Sequence, residues 1–126
     1  MNPKILVVDD EPDVCETIKH YFDKRGYEII TAGKAQEAIY KLITEKPALV
    51  LLDIRMADID GIECLRIMKK FNKDVVVIMV TANDDVEIAK TAMAAGAKDY
   101  ITKPIGFTAL ETAITTYLFL DNNPKE

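Results

Sequence analysis

Leu49-Val50-Leu51-Leu52-Asp53 runs four aliphatic residues together and stops on an acid. A strand with one wet face alternates apolar and polar residues. An unbroken run suits a strand covered on both faces, the mark of a parallel sheet. The same reading extends in both directions along the chain. Ile5-Leu6-Val7-Val8 ends in Asp9-Asp10, and Val75-Val76-Val77-Ile78-Met79-Val80 ends in Thr81. Tyr27-Glu28-Ile29-Ile30 and Asp99-Tyr100-Ile101 are shorter and more polar, as expected nearer a sheet edge. Stripes at helical spacing lie between the runs. They are Val14, Ile18 and Phe22, closed by Gly26, then Ala35, Ala38, Ile39 and Leu42, stopped by Pro47. Ile62, Leu65, Met68 and Phe71 follow, then Val86, Ala89 and Met93, ended by Gly96, and last Phe107, Leu110, Ile114 and Tyr117. Five strands, each followed by a helix, predict a doubly wound α/β domain with helices on both faces of the sheet.

The chain has 126 residues, 49% apolar and 29% charged, enough for one domain with its own core. That domain is expected over residues 1–120, with 121–126 a polar tail or the start of a linker. Twenty-one acids against 16 bases give a net charge of −5, which argues against direct nucleic-acid binding, because that needs a basic face. Cys15 and Cys64 stand far apart with no Cys or His close by, so neither a zinc site nor a disulfide framework is expected. No apolar run approaches the ~20 residues of a membrane span. The start lacks the charged-then-apolar pattern of a signal peptide. Reduced thiols in a cytoplasmic protein, with no membrane partner, are the expectation.

In a doubly wound fold, ligands bind beyond the carboxyl ends of the strands. Asp9 and Asp10 end the first strand, Asp53 the third and Thr81 the fourth, and Lys103 follows the fifth. Carboxylates within ~4 Å of one another would repel by roughly 4 kcal/mol per pair at an effective dielectric of 20. They can face solvent separately, share a proton, or take up a divalent cation. For the last case magnesium suits the set, since it keeps several waters and takes one or two carboxylates. The acidic loop Asp9 to Asp13 lacks the glycine and closing glutamate of a calcium-binding EF-hand. A metal, a carboxylate, a hydroxyl and a lysine are the parts needed to handle a phosphoryl group.

Several motifs stand in one order: Val7-Val8-Asp9-Asp10-Glu11-Pro12, Leu51-Leu52-Asp53-Ile54-Arg55-Met56, Asp60-Gly61, Val80-Thr81-Ala82 and Asp99-Tyr100-Ile101-Thr102-Lys103-Pro104. With these the chain closely resembles, over essentially its whole length, the receiver domain of two-component response regulators. The resemblance implies a flavodoxin-like (βα)5 fold with strand order 2-1-3-4-5. It implies that Asp53 accepts a phosphoryl group from a phosphohistidine on a sensor histidine kinase or histidine phosphotransfer protein. It further implies a magnesium ion held by Asp10, Asp53 and the backbone carbonyl of Arg55, with Asp9 acting largely through water. Thr81 and Lys103 would hold the phosphoryl oxygens, Tyr100 would be the switch residue, and the Lys103-Pro104 bond would be cis. Signalling would then pass through the fourth helix, fifth strand and fifth helix to an effector domain, a target protein or a second copy in a homodimer.

One departure is plain: Ala57 stands where the family usually has proline, which puts the stiffness of that loop in question and leaves every reactive position present. Arg55, two residues after Asp53, and Asn83, two after Thr81, are candidates for setting the lifetime of the phosphoryl group. Four other readings compete with this one. An aspartate-nucleophile phosphatase of haloacid-dehalogenase type would want Asp-x-Asp after the first strand, where Asp9 is followed by Glu11 at that offset. A flavodoxin-like cofactor binder would set acids against a flavin phosphate. A histidine phosphotransfer module fails on architecture, and His20 falls off the apolar stripe of its helix. A receiver-like scaffold that is never phosphorylated stays open. The expected molecule is a switch that catalyses its own phosphorylation and slow dephosphorylation, with no turnover of an external substrate.

Overall fold

The computed structural model describes residues 2–56, 58–104 and 106–120. Ala57 and the tail 121–126, on which two of the expectations rest, lie outside them. Five parallel strands, β1 (Lys4–Val8), β2 (Glu28–Ala32), β3 (Leu49–Leu52), β4 (Val76–Thr81) and β5 (Asp99–Thr102), form one sheet in the order 2-1-3-4-5. Helices α1 (Pro12–Asp23), α2 (Ala35–Glu45), α3 (Gly61–Phe71), α4 (Val86–Ala94) and α5 (Phe107–Thr115) alternate with them, and a wider π-helical turn, Thr116–Leu120, continues α5.

The unbroken aliphatic runs are explained by where successive residues go. Leu6, Val8, Val50, Leu52, Val77 and Met79 pack on one face of the sheet against α2, α3 and Ala92 of α4. Their neighbours Ile5, Val7, Leu49, Leu51, Ile78 and Val80 pack on the other face against α1 and α5. A central strand therefore has no wet side, and each buried Val, Leu or Ile contributes about 1.5–3 kcal/mol. Phe22 anchors the α1 side, with its ring edge against Tyr27.

Helix boundaries follow local chemistry. Pro12 opens α1, where its missing N–H is no loss, and Gly26 turns the chain after it at φ +88°. Asp60 caps α3 by accepting from the Ile62 N–H, and Asp85 caps α4 by accepting from Glu87 and Ile88. Two stripes need correction. Phe71 ends α3 60% exposed, and Val86 and Met93 of α4 are 63% and 45% exposed. In α4 the residues facing the core are Ile88 and Ala92.

The strand register is what assembles a site. Val8 pairs with Leu52, so Asp9 and Asp53 leave the sheet side by side. Thr81 pairs with Thr102, so Lys103 emerges next to them. The backbone continues the ladder there, with Asp53 N donating to the Val8 carbonyl at 3.0 Å and Lys103 N to the Thr81 carbonyl at 2.7 Å.

Candidate functional site

Among the described residues, the polar side chains that the fold buries are Asp9, Asp53 and Thr81. All three lie at the carboxyl edge of the sheet. Burying carboxylates is unfavourable unless they are paired, and the pairing is supplied from the opposite end of the chain. Lys103 Nζ lies 2.6 Å from Asp9 Oδ2 and 3.3 Å from Asp53 Oδ2, with Glu11 Oε1 at 3.8 Å on the solvent side. The second oxygens are held by the loops themselves. Asp9 Oδ1 accepts from Glu11 N at 3.0 Å, and Asp53 Oδ1 accepts from Arg55 N at 3.3 Å.

Burial raises the Asp9 carboxyl above the ordinary value of 3.8, and the Lys103 and Glu11 hydrogen bonds only partly offset this. Burial alone would lower Lys103, yet Asp9 and Asp53 together pull it above 10.5. The ammonium is thus firmly held in its charged form, while burial works against the ionised form of Asp9.

Thr81 Oγ1 accepts from Asn83 N at 3.3 Å. Asn83 is fixed through three atoms: this N–H, its Oδ1 accepting from Asp85 N at 2.9 Å, and its carbonyl accepting from the Tyr100 hydroxyl at 2.6 Å. Tyr100, partly buried against the α2–α3–α4 core, is therefore tied to the loop that leads into α4. Burial, then the charges of Asp85, Asp53 and Asp84, push its hydroxyl pKa above 10.

The structure brings the expected Asp9, Asp53, Thr81 and Lys103 to one edge of the sheet. Asp10 is exposed at the rim of this edge, while Asp9 and Asp53 close onto the lysine. Among the described residues no three His, Cys, Asp or Glu side chains gather tightly enough to hold a metal by themselves. The donor chemistry nonetheless suits a hard cation, since the Asp9 and Asp53 carboxylates lie at this edge with Asp10 exposed at its rim. The Arg55 side chain is exposed. The Lys103–Pro104 peptide bond is cis, as the resemblance implied. An open apolar groove of about 570 Å³, lined by Val14, Ile18, Val80, Pro104 and Phe107, runs from Lys103 between α1 and α5.

Two contributors escaped the sequence reading. Glu11 adds a third acid to Lys103. Gly61 donates its N–H to the Ile54 carbonyl at 2.7 Å and lies against the Asp53 backbone. A Cβ there would stand 2.5 Å from Ile54 Cα and closer still to the Asp53 carbonyl oxygen, so only glycine fits. Asp60-Gly61 was visible as a motif, but the close approach that requires the glycine is tertiary.

Comparison with known proteins gives a consistent picture. A family model described as "Response regulator receiver domain" matches residues 5–115. The chain is 33% identical over 123 residues to the sporulation initiation phosphotransferase F of Bacillus subtilis, covering 98% of this chain and 99% of that protein. It is 38% identical over 104 residues to the alkaline phosphatase synthesis transcriptional regulatory protein PhoP of the same organism, covering 82% of this chain but 43% of that protein. Other curated relatives are likewise longer, the chain spanning 26% of a transcriptional regulatory protein ZraR. Among solved structures, the CheX-CheY-BeF3-Mg+2 complex from Borrelia burgdorferi matches with a TM-score of 0.87 and 30% identity, over 91% of this chain and 88% of that one.

Proposed function

The chain belongs to the response regulator receiver domain family of two-component signalling, and from that premise we propose that Asp53 is its phosphoacceptor. One observation carries the reading: the buried polar side chains and Lys103 converge at the one sheet edge where a ligand can reach them. Asp53 attacks the phosphorus of a phosphohistidine, an O–P bond forms, and the P–N bond breaks with its electron pair returning to the imidazole, which takes up a proton. Lys103 already carries its charge and neutralises the incoming phosphoryl oxygens, and Thr81 donates its hydroxyl to one of them. Magnesium, when bound, supplies further positive charge to those oxygens, and Asp10, Asp53 and the Arg55 carbonyl are its candidate ligands, with Asp9 acting through water.

Thr81, Asn83 and Tyr100 form the candidate switch. Phosphorylation replaces one negative charge by about two and adds acceptor oxygens. Thr81 turning toward them loosens its bond from Asn83, and Asn83 is where Tyr100 is anchored. A change at Asp53 thereby reaches α4, β5 and α5. Moving such an equilibrium from 1:99 to 99:1 needs ~5.5 kcal/mol of differential interaction, within reach of a few charge-assisted hydrogen bonds. Response regulators work with histidine kinases and output domains. For this chain a kinase or histidine phosphotransfer protein is the proposed donor, and an effector or second copy on the α4–β5–α5 face the proposed receiver of the signal. Arg55 and Asn83 remain the candidates for setting phosphoryl lifetime. Among the described residues no helix is long and apolar enough to cross a membrane, and a cytoplasmic location is part of this proposal.

Incubation with acetyl phosphate and magnesium followed by intact mass tests the reading. One phosphoryl group is expected on the wild type and none on Asp53→Asn. Tyr100→Ala should take up phosphate yet lose the change in partner binding. Steady hydrolysis of phosphate esters that is abolished by Asp9→Asn and not by Asp53→Asn would favour the phosphatase alternative. No mass gain at all would favour the scaffold.

A further inference from the structure

The segment that leads from residue 58 into α3 is pinned to a second helix by an acid that the phosphoacceptor chemistry does not use. Asp58 is exposed, and its carboxylate reaches across to the start of α2. Oδ1 accepts from Ala35 N and Oδ2 from Gln36 N, both at 3.0 Å, and Oδ1 also accepts from its neighbour Ile59 N at 3.0 Å. These are the first N–H groups of α2, which no residue of that helix can satisfy. Lys34 occupies the N-cap position with extended backbone and supplies no side-chain bond. A residue 23 positions away thus does the work of a local cap. The N–H groups of Ala35 and Gln36 hold the Asp58 carboxyl below the ordinary range, so the clasp is ionised at neutral pH.

The other end of the same loop is the site. Arg55 N donates to Asp53 Oδ1, and the loop is closed behind by Gly61 N on the Ile54 carbonyl. We propose that Asp58 is a positioning residue for phosphoryl transfer: by clasping the N-terminus of α2 it fixes residues 58–61, whose Gly61 N–H holds the Ile54 carbonyl beside Arg55, the residue whose N–H orients the Asp53 carboxylate. The inference rests on the phosphoacceptor reading and adds to it a residue that touches neither the phosphoryl group nor Asp53. An Asp58 that served α2 alone would have the same hydrogen bonds, so the test must separate loop position from helix stability.

Lys34→Asp gives α2 a cap of its own, because an aspartate at the N-cap accepts from the N–H groups two and three residues on. Wild type, Asp58→Ala, Asp58→Asn, Lys34→Asp and the Asp58→Ala/Lys34→Asp double variant are compared by thermal midpoint and by phosphorylation rate over a series of acetyl phosphate concentrations with magnesium. Asp58→Ala is expected to lower the midpoint and to cut the saturating rate about 10-fold, the order of effect that misplacement of a reacting group produces, at an unchanged half-saturating concentration. Asp58→Asn, which keeps one acceptor oxygen, should recover part of the rate, and Lys34→Asp alone should match wild type. In the double variant the midpoint should return while the rate stays low. A rate that returns together with the midpoint, or an Asp58→Ala rate equal to wild type, would overturn the inference and leave Asp58 a helix cap. A wild type that takes up no phosphate would overturn the phosphoacceptor reading as well.

Discussion

Asp9 illustrates how a candidate site residue can work against its own fold. Its carboxyl is raised by burial despite a lysine at 2.6 Å, so the folded protein keeps this proton over a range where the unfolded chain has released it. Stability from this group is therefore present below pH 3.8 and falls as pH rises from there through the folded value. Asp9→Asn should be more stable than wild type at pH 7, by a few degrees in thermal midpoint, with the difference closing on acidification below 3.8. Lys103 follows the same sense at higher pH. Its raised value means support that is complete below 10.5 and lost as pH climbs through the folded value, and since Asp9 supplies part of that rise the advantage of Asp9→Asn should widen at the alkaline end. Thermal scans across pH, wild type against variant, would read both edges. An Asp9→Asn protein less stable than wild type at neutral pH would mean that the lysine outweighs burial.

At the scale of elements, strands were the most legible part of the chain. Both faces of β1, β3 and β4 are buried, so composition alone marks them without any periodicity. Helices were legible in proportion to how much of them is buried. The α1 stripe Val14, Ile18, Phe22 meets the core as expected, whereas α4 buries Ala92 alone, and small residues carry little signal against the exposed Val86 and Met93. The site residues were readable because each sits just past a strand end, where the register fixes neighbours. Their partners were not, because Glu11, Asp58 and Gly61 act through contacts that only the folded loops create. Gly61 gives the sharpest case. Gly61→Ala should cost about 1–3 kcal/mol in denaturant unfolding, the usual range for overpacking a filled site. It should also slow phosphorylation by acetyl phosphate, because the Asp53 carbonyl and Ile54 Cα must move aside. Unchanged stability and rate would show that the α3 start yields without disturbing the site.

For the whole molecule, the sheet separates two cores, and each holds one cysteine. Cys15 lies on the α1–α5 side and Cys64 on the α2–α3 side, both free and buried. Burial pushes their thiols up to about 11 and about 12, so neither is a nucleophile at neutral pH in the folded state. Alkylation at pH 8 should be slow for both and should accelerate in parallel with added denaturant, if the central strands unfold as one unit. Cys15 reacting at denaturant concentrations that leave Cys64 protected would show instead that the α1–α5 layer opens alone.

The shallow seat of α4 has a consequence over evolutionary time. A helix fastened by Asp85 at its start, by the Gly96 turn after it and by Ala92 beneath leaves Val86, Lys90 and Met93 almost without duties in the core. Substitutions at exposed positions usually change stability by no more than about 0.5 kcal/mol. Descendants of this chain can therefore change the exposed side of that helix while the buried carboxylates and their lysine stay as they are. That helix surface is free to diverge, and the buried cluster is not.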